Sequence, residues 1–204
     1  MTASGTASPL LAGVALLERG IGYTLGSLVL VRPEDLTRRT PCDRWNLHAL
    51  LEHMNDSLLA LQEAATGRTV CLEPVPTHAH PVAAVTTLRD RACGLLGDWN
   101  RAQSSGDRAG TDALVSVGGL PVTASLVAAA GALEIAVHGW DVSQACGRPR
   151  TIPAPLAAEL LDLAPLLVRR ADRRCRFGPP VDAGAHDALG DRLVAFLGRD
   201  PAWV

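Results

Sequence analysis

Apolar residues recur at intervals of three and four positions in five segments of the chain, and polar connections containing proline and glycine separate these segments. This spacing is typical of amphipathic helices that bury one face. A briefly extended segment is expected at residues 113–117, and a short amphipathic helix near residues 187–197. The pattern predicts five longer helices, at about residues 8–31, 46–66, 82–102, 122–146 and 154–170.

Residue types that start or stop helices lie at the ends of three of these segments. Ser8 is placed to cap the first helix, with Pro9 at its first position, where a missing N–H costs nothing. Asn46 is a suitable N-cap for the second helix, and Gly147 is a good C-cap for the fourth. The expected core residues of the second and third helices are Leu47, Leu50, Leu51, Met54, Leu58, Leu61, Val82, Val85, Leu88, Leu95, Leu96 and Trp99.

The composition favours a single helical domain. The 204 residues are 48% hydrophobic but only 3% aromatic, so alanine, leucine and valine supply most of the apolar surface. Small or aliphatic side chains of this kind suit closely packed helices. We predict an all-α domain over residues 1–204, a bundle with its core at about 8–147 and with a fifth helix and tail at 154–204 packed onto it.

Charge and hydropathy argue against several classes of partner. A formal net charge of -2 gives no reason to expect nucleic acid, since such domains usually carry a strongly basic face. The N-terminal apolar run lacks a preceding basic region and ends at Glu18 and Arg19, so we expect a cytoplasmic protein without a membrane span. The cysteines form no CxxC pair and are expected to be reduced; they are Cys42, Cys71, Cys93, Cys146 and Cys175.

Three polar side chains lie along one face of the apolar fourth helix. Glu134 and His138 are four residues apart and Asp141 follows one turn later, so all three fall on one stripe. Burying a carboxylate without a partner costs on the order of several kcal/mol, which indicates a cation opposite this face. A divalent metal ion is the sharpest hypothesis, with His53 of the second helix as a third ligand; a solvated Glu–His pair is the alternative.

Three segments carry a resemblance to a known family. They are Thr40-Pro41-Cys42-Asp43-Arg44-Trp45 leading into Leu50-Leu51-Glu52-His53, then Glu134-Ile135-Ala136-Val137-His138-Gly139-Trp140-Asp141-Val142, and Asp191-Arg192-Leu193-Val194-Ala195-Phe196-Leu197-Gly198-Arg199-Asp200-Pro201. Through them the chain resembles the DinB-like metal-binding four-helix bundles, in the actinobacterial branch similar to the N-terminal domain of mycothiol-dependent maleylpyruvate isomerase. The resemblance implies a divalent metal, typically zinc, bound by His53, Glu134 and His138.

The resemblance also implies chemistry with a low-molecular-weight thiol. Three protein ligands leave a tetrahedral zinc one position short, which is the catalytic arrangement. We expect an enzyme in which metal-bound mycothiol acts as the nucleophile in S-transfer or thiol-assisted isomerisation of a small-molecule substrate. Two alternatives stay open: a metal-dependent enzyme of specialised metabolism that uses no thiol, and a non-catalytic metal-binding or small-molecule-binding module. The protein is expected to be a monomer or a homodimer.

Supporting roles are assigned to a few further residues. Asp141 is expected to hold the non-coordinating nitrogen of a ligand histidine, or else to bind solvent or substrate. Trp45 and Trp140 are expected to be structural. The arginines at 169–176 are expected to interact with the C-terminal end of the fifth helix, with Arg169 and Arg173 as an alternative anion-binding rim for substrate. The residues not expected to act as ligands or nucleophiles are Cys42, Cys146, His48, His78, His80 and His186.

Overall fold

The computed structural model describes residues 9–43, 45–67, 69–70, 81–104, 113–168, 173, 177–184 and 187–203. Helices dominate this part of the chain, as predicted. The elements, in chain order, are α1 (Pro9–Leu28), α2 (Leu47–Thr66), β1 (Thr69–Val70), α3 (Pro81–Ser104), β2 (Leu114–Val117), β3 (Leu120–Thr123), α4 (Ala124–Ala145), α5 (Ala154–Leu167) and α6 (Leu189–Phe196).

The first four helices form a bundle around a common apolar core. Helix α1 packs along α4, while α2 lies against both α3 and α4, and α5 bridges α4 and α6. All six core residues predicted on α2 are buried, from Leu47 to Leu61. On α3, Leu88, Leu95 and Trp99 are also buried, whereas Val85 and Leu96 are partly buried against the same core and Val82 lies outside the described side chains.

Small residues allow α1 and α4 to approach closely. A Cβ added to Gly20 would lie 3.1 Å from the Ala132 carbonyl oxygen, and one added to Gly139 would overlap the Thr24 side chain. The Thr24 hydroxyl also donates a 2.7 Å hydrogen bond to the Ile135 carbonyl oxygen. These contacts fix α4 against α1 in the turns that carry the predicted polar stripe.

A small three-stranded sheet accompanies the bundle, and the sequence predicted only part of it. Strand β2, which falls within the expected extended segment, pairs in parallel with β1 and antiparallel with β3, with Val117 opposite Leu120. The turn between β2 and β3 consists of Gly118 and Gly119, with φ of 56° and 83°, values that favour glycine. Because Val122 belongs to β3, α4 begins at Ala124, two residues later than predicted.

The observed helix ends agree with most of the predicted ones. The Asn46 side chain caps α2 by accepting a 3.0 Å hydrogen bond from the Ala49 N–H, and Gly147 follows α4 with φ of 64°. Ser8 lies outside the described residues. Helix α5 ends at Leu167 rather than at Arg170, because Val168 has an extended backbone that cannot continue the helix. Among the described helices, none combines the length and apolarity needed to span a membrane.

Candidate metal centre

His53, Glu134 and His138 meet at the crossing of α2 and α4. The Glu134 Oε1 atom lies 2.7 Å from His53 Nε2 and 3.1 Å from His138 Nε2. One ligand atom from each residue lies within 4.8 Å of the other two. The structure therefore brings the three predicted ligands together; that they bind a metal ion remains a prediction.

The local helix geometry accounts for this arrangement. Glu134 and His138 are four positions apart in α4, so their side chains lie one turn apart on the same face of the helix. His53 lies on α2 and reaches them because α2 packs directly against α4. The three side chains differ in exposure, at 32% for His53, 31% for Glu134 and 5% for His138. The centre is thus embedded in α4 on the His138 side and open to solvent on the other.

Asp141 and Arg199 extend the centre into the protein interior. Asp141 Oδ2 lies 2.9 Å from His138 Nδ1, the ring nitrogen that points away from Glu134. The Arg199 guanidinium in turn donates to both Asp141 oxygens, with Nη2 3.1 Å from Oδ2 and Nε 3.4 Å from Oδ1. The Asp141 side chain has no solvent exposure and that of Arg199 only 6%. Asp141 therefore contacts a ligand candidate from behind, as one of its two predicted roles requires.

Trp45 covers part of the centre. Its ring stacks on His53 with the centroids 4.3 Å apart and an interplanar angle of 28°, and it lies 6.0 Å from the His138 ring. The sequence predicted a structural role at the entrance to α2, and the stacking adds a restraint on the His53 ring that the sequence did not indicate. Trp140 is buried in the core, at 2% exposure, as predicted.

Electrostatic coupling ties the site together in the protein alone. Burial opposes ionisation of Glu134, but the charge and hydrogen bonds of His138 and His53 hold the pKa of Glu134 well below its usual range. Burial alone would lower the pKa of His138, yet the Glu134 charge and the Asp141 hydrogen bond raise it to about 9. Burial likewise opposes ionisation of Asp141, and the Arg199 charge lowers the pKa of that carboxyl.

The donor set fits a divalent transition metal. Two imidazole nitrogens converge on one carboxylate oxygen, and all three atoms are of the kinds that zinc accepts in proteins. The protons that hold these groups together in the protein alone are the ones that a metal ion would replace. Nickel, iron and manganese accept the same ligands, so the donor set favours zinc without selecting it.

The remaining predicted residues lie in other contacts or outside the described part of the chain. Arg173 donates to the carbonyl oxygens of Gly178 and Phe196, at 3.2 and 2.9 Å, and lies over the Phe196 ring. Its assignment to substrate remains a prediction, and Arg169 is outside the described residues. Burial raises the pKa of the Cys146 thiol to about 11, which agrees with an unreactive cysteine. His48 lies near Glu52 rather than at the centre; His78, His80 and His186 are not described.

Sequence reasoning did not find Arg199 as part of the centre. Arg199 lies in one of the three segments that carry the resemblance, but nothing in the spacing links it to Asp141, 58 positions earlier. The sequence offers one signal, which is that a buried Asp141 carboxylate requires a partner such as a basic side chain. With 19 arginines in the chain, that signal does not select one of them.

Comparison with known proteins identifies one family. The family model described as the mycothiol maleylpyruvate isomerase N-terminal domain matches residues 23–143. This range runs from within α1 to the last turns of α4 and includes all three ligand candidates. No curated protein and no solved structure matches the chain.

Proposed function

Since this chain belongs to the family of mycothiol maleylpyruvate isomerase N-terminal domains, we propose that it is a metal-dependent enzyme whose nucleophile is a low-molecular-weight thiol. His53, Glu134 and His138 hold the divalent ion, preferentially zinc, and mycothiol is the proposed thiol. The convergence of three donors at a partly exposed position carries this proposal. A closed structural zinc site uses four protein ligands, whereas three leave a position for a reactant.

The chain's own groups have separate tasks in this scheme. Glu134 contributes one negative charge, and the two histidines are neutral when they act as ligands, so the loaded site keeps a net positive charge. When bound, the ion supplies a positive charge and an open position that lower the pKa of a thiol there. Asp141 fixes the His138 ring through Nδ1, and Trp45 restrains His53 by stacking.

The reaction classes follow from what a thiolate can do. In S-transfer, the sulfur forms a bond to an electrophilic carbon and the leaving group departs with the bonding electrons. In thiol-assisted isomerisation, the sulfur adds to an activated double bond, the resulting single bond rotates, and the sulfur leaves again. The thiol is consumed in the first class and regenerated in the second, which distinguishes them experimentally.

Titration of mycothiol into zinc-loaded protein tests the proposal. We expect the wild type to bind mycothiol. When a fluorogenic electrophile is added, we expect it to form the fluorescent thioether of that electrophile and mycothiol. His138→Ala should lose both, because it removes the most buried ligand. His48→Ala is the matched control, since His48 lies on α2 away from the centre and should leave both unchanged.

Three outcomes would overturn the proposal. If the wild-type protein holds no zinc after reconstitution, the metal has no part in the mechanism. Equal mycothiol binding by the wild type and His138→Ala, or binding by neither, would remove the thiol from the mechanism. Thiol binding without turnover across several electrophiles would leave a binding module rather than an enzyme.

A further inference from the structure

Arg199 connects the C-terminal segment of the chain to the candidate metal centre. We propose that Arg199 is a positioning residue, which holds Asp141 so that Asp141 fixes the Nδ1–H of His138 and turns His138 Nε2 toward Glu134. The inference rests on the proposed function in one respect, that the centre binds a divalent ion. It does not require that a thiol takes part. Arg199 lies outside the residues 23–143 that match the family, so the match does not assign it a role.

The contacts form a continuous buried chain. Arg199 reaches both oxygens of Asp141, at 3.1 and 3.4 Å, and Asp141 lies 2.9 Å from His138 Nδ1. Taken as whole residues, Arg199, Asp141 and His138 are 5%, 0% and 4% exposed. Water therefore has little access to replace any of these partners. A guanidinium that spans both carboxylate oxygens also restricts rotation of the carboxylate, which a single donor does not.

The fold places Arg199 by a sharp turn directly after α6. Gly198 has φ of 82°, and a Cβ at that position would lie 2.7 Å from the Gly178 backbone. The Arg199 N–H then donates to the Val194 carbonyl oxygen at 2.9 Å, and its Nη1 donates to that of Leu197 at 3.0 Å. The side chain is thus held at its base and at all three guanidinium nitrogens.

The chemistry follows from what an ionised carboxylate can do. Paired with Arg199, Asp141 accepts hydrogen bonds but cannot donate one, so the facing His138 Nδ1 must carry the hydrogen. A neutral imidazole with hydrogen on Nδ1 has its lone pair on Nε2, the atom that points to Glu134. Without Arg199, the buried Asp141 carboxylate would keep only the His138 hydrogen bond, and its orientation would no longer be restrained.

A purely structural role for Arg199 is the competing explanation, because the same contacts anchor the C-terminal segment to α4. The two roles differ in what they predict for metal affinity. A positioning residue acts through Asp141, so its removal should have no further effect once Asp141 is changed. An anchor acts independently of Asp141, so the two effects should add.

We would measure zinc affinity by competition with a chromophoric chelator, and record the absorption spectrum of the cobalt-substituted protein. Arg199→Gln should weaken zinc binding about tenfold, as is typical when a partner behind a ligand is lost, and should change the cobalt spectrum. Arg199→Lys keeps the charge but cannot donate to both carboxylate oxygens from one planar group. Its zinc affinity should lie between those of Arg199→Gln and the wild type. Asp141→Asn should weaken binding at least as much as Arg199→Gln, and the double variant no more than Asp141→Asn alone.

Leu193→Ala is the control, since it opens a cavity in the core beside α6 and leaves Asp141 unchanged. This variant should unfold at a lower temperature than the wild type and bind zinc with the wild-type affinity. Wild-type affinity in Arg199→Gln, or additive losses in the double variant, would overturn this inference alone. If Arg199→Gln does not fold, Arg199→Lys with unchanged affinity and spectrum would overturn it instead. Failure of the wild type to bind any divalent ion would overturn both this inference and the proposed function.

Discussion

At the scale of single residues, the three ligand candidates differ in how firmly the protein holds them. His138 is buried and fixed from behind by Asp141, whereas His53 and Glu134 are each about a third exposed. His53 is restrained instead by the Trp45 ring stacked on it. We therefore expect a thiol to approach from the side of His53 and Glu134.

Zinc uptake should release protons, and the raised pKa of His138 sets the pH range in which it does so. Below about pH 9 the metal-free imidazole mostly holds a second proton, which must leave when Nε2 becomes a ligand. Apparent zinc affinity should therefore rise with pH until about 9 and then level off. Calorimetry in buffers of different ionisation enthalpy counts the protons released. A buffer-independent heat at neutral pH would contradict this coupling.

Two of the cysteines, Cys93 and Cys146, should differ in reactivity. Cys146 is buried with a thiol pKa of about 11, whereas Cys93 is exposed. Because the thiolate is the reactive form, an alkylating reagent at mildly alkaline pH should label Cys93 and leave Cys146 intact until the protein unfolds. Peptide mass mapping before and after addition of denaturant measures this. Rapid labelling of Cys146 in folded protein would show that the end of α4 is not packed as described.

Individual site residues could be predicted where the chemistry is local. The four-residue spacing of Glu134 and His138 indicates a shared helix face, and an apolar helix gives such a pair no packing purpose. His53 lies on another helix and was assigned through the resemblance and the expected helix packing. Arg199 could not be selected in this way, because its contact with Asp141 depends on how the turn at Gly198 docks on α4.

At the scale of elements, α4 is the helix that positions the site. Most of its residues are buried, including His138, Gly139, Trp140 and Asp141 in succession. A helix that is covered nearly all round has its rotation about its own axis fixed by packing. The directions of Glu134 and His138 are therefore set by the bundle rather than by the site itself.

Two helical glycines should respond oppositely to the same substitution. Gly22→Ala in α1 meets no atom within 4 Å and should stabilise the protein by up to about 1 kcal/mol, the difference in helix propensity. Gly139→Ala gains the same propensity but collides with Thr24, and overpacking costs about 1–3 kcal/mol. Thermal or denaturant unfolding of both variants measures the pair. Stabilisation by Gly139→Ala would show that α1 and α4 are less closely packed.

The helices could be predicted from periodicity, and the hairpin could have been recognised from its turn. Val117-Gly118-Gly119-Leu120 contains the Gly-Gly pair that two-residue hairpin turns favour, yet the apolar residues that continue into α4 predict a helical Val122. The parallel pairing of β1 with β2 joins distant segments and has no local signal.

At the scale of the whole molecule, the C-terminal segment and the bundle form one connected structure. Arg199 reaches α4 from beyond α6, and Arg19 of α1 pairs with Glu159 of α5, both oxygens accepting at 2.7 Å. The second pair is exposed and contributes little to stability. The buried Arg199 contact therefore links the C-terminal segment to the centre, whereas the exposed pair joins α5 to α1.

A metal ion that binds only the folded protein should raise its melting temperature. At a free zinc concentration 100 times the dissociation constant, the stabilisation is about 2.7 kcal/mol, or about 5–10 °C for a chain of this size. A chelator should reverse the shift, and His138→Ala should show none of it. Differential scanning calorimetry gives the comparison. An equal zinc-dependent shift in His138→Ala would place the ion elsewhere.

We propose that His53, Glu134 and His138 hold a metal ion with one position left for a thiol. X-ray absorption spectroscopy of the zinc-loaded protein, with and without mycothiol, tests this most directly. Without the thiol we predict nitrogen and oxygen neighbours alone, at about 2.0–2.1 Å; with it, one sulfur neighbour at about 2.3 Å should appear. A zinc environment that the thiol leaves unchanged, or one already containing sulfur before its addition, would contradict the claim.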